Sequence, residues 1–336
     1  MVTVISCKEL LRSPDVVKYL PYGCKWWSKY IFHFSHITNI ASILNDGQLI
    51  SRNLADLKKM HYLNDNASGE VIKGTEVQYK DYVRFYFRPL TPTQYHNEGI
   101  RADREITDLG AHCPVPVFLL FDTSILDNPN VYFSYESLAS HHDVQLYQGC
   151  EDLSKAPFEY IYHNSGTSMT DGKMIRKHRQ AEIVVKNQCD LTYLKRIVCR
   201  TVAEADTLKT LLNSTAYSKY ADKICVVGDR DFETQDSSTI FKGGYLKILN
   251  TIQTSTYFTM FFNKKDCHKR SIGIYWYDAD RNKITAYINK DISLGKYGPA
   301  VKINLFEKLN GYDYVQVVIL IDGNFVYTKK FSGLLS

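Results

Sequence analysis

Apolar and polar positions along the chain follow two different rhythms. Residues 1–29 read as one or two helices with an exposed aromatic end at Trp26 and Trp27, and Tyr30–Phe34 reads as a short strand. Ile37, Ile40, Ile43 and Leu44 then recur at helical spacing. Gly47 stands where a helix usually ends, which predicts a helix over Ile37–Asn45 and puts a strand-to-helix joint at His33–Asn39. Val83–Phe87 and Val117–Phe121 are apolar, aromatic strand patterns, whereas Ser51–Lys80 is polar and irregular and Leu126–Ser165 is a long connection with helix-like stretches. Ala181–Val185, Arg196–Cys199 and Ile224–Val227 read as further strands, with a helix from Ala203 to about Leu212. The result is a mixed α+β domain over residues 30–230, with residues 1–29 packed on it as a lid.

The rhythm then changes. The stretch DRDFETQDSST at 229–239 is charged and hydroxyl-rich, so residues 231–252 are expected to form a linker. Residues 253–336 carry repeated short strand patterns, SIGIYWYD, KITAYINK and YVQVVILIDG, with a hairpin turn at Asp322–Asn324. They predict a small, mainly β accessory module, in which Tyr275 and Tyr277 share one strand face.

Composition alters this picture in three places. The 25 Tyr and 16 Phe make the chain unusually aromatic, and aromatics outside a core can stack on bases. A net charge of +5 is too mild for a protein that coats nucleic acid, so such a partner needs a local basic patch. The eight cysteines include no C-x-x-C pair, which argues against a zinc site or a disulfide frame and suits a reducing cytoplasm. No secretory pattern opens the sequence, and no stretch approaches the roughly 18 apolar residues of a spanning helix. A soluble, cytoplasmic protein without metal is the expectation.

Three blocks carry chemistry. IFHFSHITNIASIL at 31–44 with NDGQLISRN after it, KDYVRFYFRPLTPTQY at 80–95 and MIRKHRQAEIVV at 174–185 resemble, in order, the NAD-binding opening, the aromatic strand and the basic loop leading to the catalytic glutamate of the DarT family of DNA ADP-ribosyltransferases. The resemblance covers residues 30 to about 230 and implies an ADP-ribosyltransferase-like split β-sheet core with helices. It further implies that His33, Ser35 and Asn39 hold NAD, that Tyr86 and Phe87 flank the nicotinamide, and that Glu182 is the catalytic carboxylate. For Ser35 and Asn39, helix capping is an equal reading. For Tyr86 and Phe87 it is core packing, since alternation lets only part of the run face a pocket.

The family's arginine between the opening block and the aromatic strand is missing from residues 64–77. Lys73 is the nearest cation there, and Arg84 and Arg88 are the other candidates to replace it. Lys173, Arg176, Lys177, His178 and Arg179 form a basic run suited to phosphates, with Tyr160, Tyr162 and His163 nearby to stack on a base. The expected function is transfer of ADP-ribose from NAD, consumed as substrate, to a base in single-stranded DNA. The alternatives are RNA or protein as acceptor, or a silent NAD or nucleic-acid sensor. The family implies a toxin or anti-phage effector whose partners are nucleic acid and an antitoxin or ADP-ribosyl hydrolase.

Overall fold

The computed structural model describes residues 5–59, 74–101, 106, 110–140, 143–167, 171–264, 266, 268–294 and 298–334. Its first half contains β1 (Tyr30–His36), β2 (Gln48–Ile50), β3 (Tyr82–Tyr86), β4 (Pro116–Asp122), β5 (Val131–Ser134), β6 (Glu182–Lys186), β7 (Gln188–Asp190), β8 (Leu194–Cys199) and β9 (Ile224–Val226). Seven of these make one sheet in the order β5-β6-β3-β1-β4-β8-β9, antiparallel except for β8 with β9, while β2 and β7 pair with each other. β4, PVFLLFD, is buried along its whole length, as a continuous apolar run requires.

The central joint of this sheet is uneven. β1 pairs with β4 at every position from Tyr30↔Asp122 to His36↔Pro116, but with β3 only at Phe32↔Tyr86. Past that pair the two strands part, and the sheet is split. The helix Ile37–Asp46 follows β1 directly, capped by the His36 side chain and closed by Gly47 in the left-handed conformation (φ 73°), where only glycine is unstrained.

The segments that flank the α+β domain are held firmly. Ser6 and Glu9 form a reciprocal cap on the helix Cys7–Arg12; Cys7 N–H donates to Asp127 (2.7 Å), and Lys8 pairs with Asp122 at 3.1 Å. Trp26 and Trp27 are buried rather than exposed. Trp26 packs on Phe32 and Phe232, and the Trp27 indole N–H donates to the Thr239 carbonyl (3.0 Å). The stretch read as a linker is strapped to the core: Phe232, Ile240 and Phe241 are buried, Gln94 donates to the Ile240 carbonyl (2.8 Å), and Glu98 accepts from the Lys242 N–H (3.0 Å). Glu233 ties it back as well, pairing with Lys29 (2.7 Å) and accepting from the Tyr30 hydroxyl (2.8 Å).

The second half holds two antiparallel sheets. β10 (Ile248–Gln253), β11 (Tyr257–Phe262) and β14 (Ala300–Asn304) pair in the order β10-β11-β14. β12 (Lys269–Tyr277), β13 (Lys283–Ser293), β15 (Tyr314–Ile321) and β16 (Asn324–Ser332) pair in the order β13-β12-β15-β16. β10 begins inside the expected linker. β15 alternates buried and half-buried residues, and the β15–β16 turn uses positive φ at Asp322 (49°) and Gly323 (76°), as a tight hairpin requires. Trp276 fills the core against Phe258, which leaves Tyr275 and Tyr277 half-buried on the other face. This half docks on the helix Val202–Leu211: the Thr201 hydroxyl donates to the Ile248 carbonyl (2.7 Å), Thr328 N–H to the Thr207 hydroxyl (3.2 Å), and Lys329 pairs with Asp206 (2.6 Å). Apolar packing is continuous through both halves.

Phe121 sits at the centre of the first half, fully buried with its ring centroid 5.1 Å from that of Phe85. Phe121→Ala is expected to cost about 3–5 kcal/mol of stability, read as a lower urea midpoint for unfolding.

Candidate active site

Glu182 opens β6, directly opposite Tyr86 of β3 and Ser134 of β5. Paired residues share a face, so Glu182 and Tyr86 lie side by side, with Arg84 two residues along β3 on the same face. The carboxylate is 1% exposed. Leu138 N–H donates to Oε2 at 3.0 Å, the Ser137 hydroxyl to Oε1 at 3.3 Å, and Arg84 Nη1 stands 3.7 Å from Oε1. Burial pushes the Glu182 pKa up, and Arg84, Leu138 and Ser137 pull against it. A carboxyl held above its usual range is suited to taking up a proton. Tyr86 is half-buried, and burial together with Glu182 raises its phenol pKa.

His33 stands at the split. Its Nδ1 lies 3.0 Å from the Arg84 carbonyl oxygen; since a carbonyl only accepts, Nδ1 carries the proton, and burial keeps the ring neutral by lowering its pKa. The ring meets Phe85 edge-on at 5.9 Å. Phe85 points away from the Tyr86 side of β3, so His33 lies across the sheet from Glu182. Ser35 shares the His33 face, and the Asn39 side chain donates to the Ser35 hydroxyl (3.1 Å). The structure thus makes two groups, His33 with Ser35 and Asn39 and Glu182 with Tyr86 and Arg84, connected where β1 and β3 part.

Other expected site residues have different placements. Phe87 is buried against Phe133 (6.3 Å) and belongs to the core, so of the aromatic pair only Tyr86 borders Glu182. Arg88 is 1% exposed and lies over the Trp27 ring (4.7 Å). It donates to the carbonyls of Pro89, Ile161 and His163 and to the Asn164 side chain (2.5 Å), and so holds the 161–164 turn. Arg179 does the same from the other side, donating to the carbonyls of His163 (2.7 Å) and Ser165 and to His163 Nδ1. Tyr162 is buried, and His178 is buried with Nδ1 2.6 Å from the Tyr135 carbonyl. On the helix Gly172–His178, Lys173, Arg176 and Lys177 face water, with Lys177 paired to Glu136 (3.0 Å). Lys73 lies outside the described residues.

Ser137 and Leu138 went unrecognised in the sequence. Their segment has no periodicity, and a backbone N–H donor leaves no mark in residue type. His36 was missed too. It is buried, with Nδ1 2.8 Å from the Thr38 hydroxyl, and burial lowers its pKa to about 4. Among the described residues no group of three or more His, Cys, Asp or Glu is placed to hold a metal ion, and no helix is long and apolar enough to cross a membrane.

By comparison with known families the chain falls among the ADP-ribosyltransferases that act on nucleic acid. The family described as ssDNA thymidine ADP-ribosyltransferase, DarT, matches residues 32–227, and the chain belongs to that family. NAD is therefore its substrate. A Thermus sp. 2.9 DarT solved with ADP-ribosylated ssDNA is similar at 16% identity and a TM-score of 0.45, covering 62% of this chain and 95% of that one. The same protein solved with NAD+ gives 18% and 0.43, covering 62% and 96%. Thermosipho africanus DarTG solved with ADP-ribose gives 15% and 0.45, covering 59% and 50%. No curated protein matches the chain.

The raised Glu182 pKa has a consequence for stability. The folded chain keeps a proton that the unfolded chain releases, so this stabilisation is complete below the ordinary carboxylate range and is lost as pH rises through the raised value. Glu182→Gln is expected to melt close to wild type near about pH 4 and above it at about pH 7, with the gap widening steadily. Thermal melts across that range check it.

Proposed function

We propose that this enzyme transfers ADP-ribose from NAD to the thymidine base of single-stranded DNA, with Glu182 as the catalytic carboxylate. What carries the reading is the placement of Glu182 beside Tyr86 and Arg84 in a nearly dry setting, within a chain of the DarT family. As the glycosidic bond breaks, nicotinamide leaves with the bonding electrons and positive charge develops at the anomeric carbon. A carboxylate with little water around it stabilises that charge strongly. The acceptor nitrogen of the base bonds to the anomeric carbon and loses its proton, and a carboxyl with a raised pKa is a fit acceptor for it.

The dinucleotide would lie along the split, its nicotinamide end at Glu182 and Tyr86 and the rest toward His33, Ser35 and Asn39. Arg84 is the cation that stands in for the missing family arginine. Lys173, Arg176 and Lys177 would meet DNA phosphates, and Arg88 and Arg179 would act indirectly by fixing the turn at 161–165 that precedes their helix. Residues 30–230 are the catalytic part and 253–336 an accessory part. The biological role is that of a cytoplasmic toxin or anti-phage effector, with an antitoxin or an ADP-ribosyl hydrolase as its counterpart.

One observation favours a second reading. Ser137 and Leu138 cover the carboxylate, and a silent NAD or nucleic-acid sensor would have no need to open it. In the catalytic reading this segment shifts when NAD enters.

Mass spectrometry of thymidine-containing single-stranded oligonucleotides incubated with NAD separates the two. One ADP-ribose should be added by wild type, and Glu182→Ala should slow this by about 10²–10³ or more. An RNA or protein product would redirect the acceptor assignment, and NAD binding without transfer would favour the sensor.

A further inference from the structure

A second aromatic and cationic surface leads away from Glu182. The chain leaves β3 at Tyr86, its neighbour, and enters the helix Pro92–Asn97, capped by the Thr91 hydroxyl, six residues later. On that helix Tyr95 is 44% exposed. Lys242 Nζ sits 4.7 Å from the centre of the Tyr95 ring and 5.5 Å from that of Tyr245. Two tyrosine rings thus hold an ammonium between them on the segment that follows the strand beside Glu182.

This arrangement is built rather than incidental. The Arg101 guanidinium, 5% exposed, lies 4.7 Å from the Tyr245 ring centre and donates to the Tyr95 carbonyl (2.7 Å) and the Glu98 carbonyl (3.0 Å). One buried cation therefore ties both tyrosines together. Tyr245 also lies flat on Gly99, where a Cβ would come within 2.3 Å of the ring and the backbone has φ +97°, so no other residue fits there. The Glu98 carboxylate is turned inward, taking hydrogen bonds from Gln94 (2.6 Å) and the Lys242 backbone (3.0 Å), and does not cancel the Lys242 charge at the surface. Lys264, which donates to the Gly244 carbonyl, adds a further cation.

Rigid aromatic faces alternating with lysines recognise single-stranded nucleic acid in general, through stacking on bases and charge on phosphates. We propose that Tyr95, Lys242 and Tyr245 form a platform for the single-stranded DNA flanking the target base, extending the footprint beyond the Glu182 pocket. Lys242 and Tyr245 lie outside the region that matches the family, 32–227. The inference rests on the proposed function only in placing the target base at Glu182.

The test is fluorescence anisotropy on the full chain with labelled thymidine-containing oligonucleotides of about 20 and about 5 nucleotides. Tyr95→Ala and Lys242→Gln are surface changes that should leave the fold intact. Each is expected to weaken binding of the long oligonucleotide about five- to tenfold while leaving the short one unchanged. Lys242→Gln should also lower the salt slope by about one. Wild-type affinity of both variants for the long oligonucleotide, equal weakening of long and short, or no binding of the long one by wild type would each overturn the platform. ADP-ribose transfer is scored separately by mass spectrometry with Glu182→Gln as control. A wild type that binds the long oligonucleotide through this surface but transfers nothing sinks the catalytic reading and leaves the platform standing.

Discussion

A carboxylate with almost no water around it must have its charge answered by protein, and the geometry of this part of the sheet follows from how Glu182 solves that problem. Its partners come from separate places in the chain: a guanidinium from β3, a backbone N–H and a hydroxyl from the connection after β5. None of the three could hold it alone, since each contributes only part of what hydration would. The sheet must therefore bring β5, β6 and β3 into register before the carboxylate can be held, and the register Ser134↔Glu182↔Tyr86 is the record of that requirement. Between β3 and β1 the register holds at the single pair Phe32↔Tyr86, with the His33 ring bridging to the Arg84 carbonyl.

Guanidinium groups illustrate how far residue type alone can mislead. In the sequence Arg88 is a candidate to replace the missing family arginine and Arg179 part of a basic run suited to phosphates, since a guanidinium can bind two phosphate oxygens at once. Their carbonyl partners at 161–165 are scattered turn residues with no pattern of their own, and burial of Arg88 over Trp27 depends on an amino-terminal segment that seemed peripheral. The charge is spent on holding a loop in shape, and Lys173 and Arg176 are left facing solvent.

What the sequence revealed was what is locally encoded. The helix Ile37–Asp46 with its Gly47 stop, the strand of Glu182, the apolar β4 and the Asp322–Gly323 hairpin were all legible, because spacing and turn chemistry act over a few residues. The short strands β2, β5 and β7 and the strapped course of residues 231–247 were not. A three- or four-residue strand carries too little periodicity, and a polar stretch pinned by Phe232, Ile240 and Phe241 looks like a linker until its partners are known. The ordered blocks pointed to Glu182 and Tyr86 together, whereas which side of the sheet His33 occupies is set by a register no local pattern records.

The docking of the last strands on the helix Val202–Leu211 has a consequence for how the molecule behaves as a whole. Thr201, Asp206 and Thr207 of the catalytic half are satisfied by Ile248, Lys329 and Thr328, and the apolar interior passes between them without a break. Severing the chain near residue 230 would strip a cover from that helix and leave hydroxyls and apolar side chains facing water. The helix Val202–Leu211 thus serves as floor to the last strands and as wall to the first sheet, and its hydroxyls meet Ile248 and Thr328 only while both are in place.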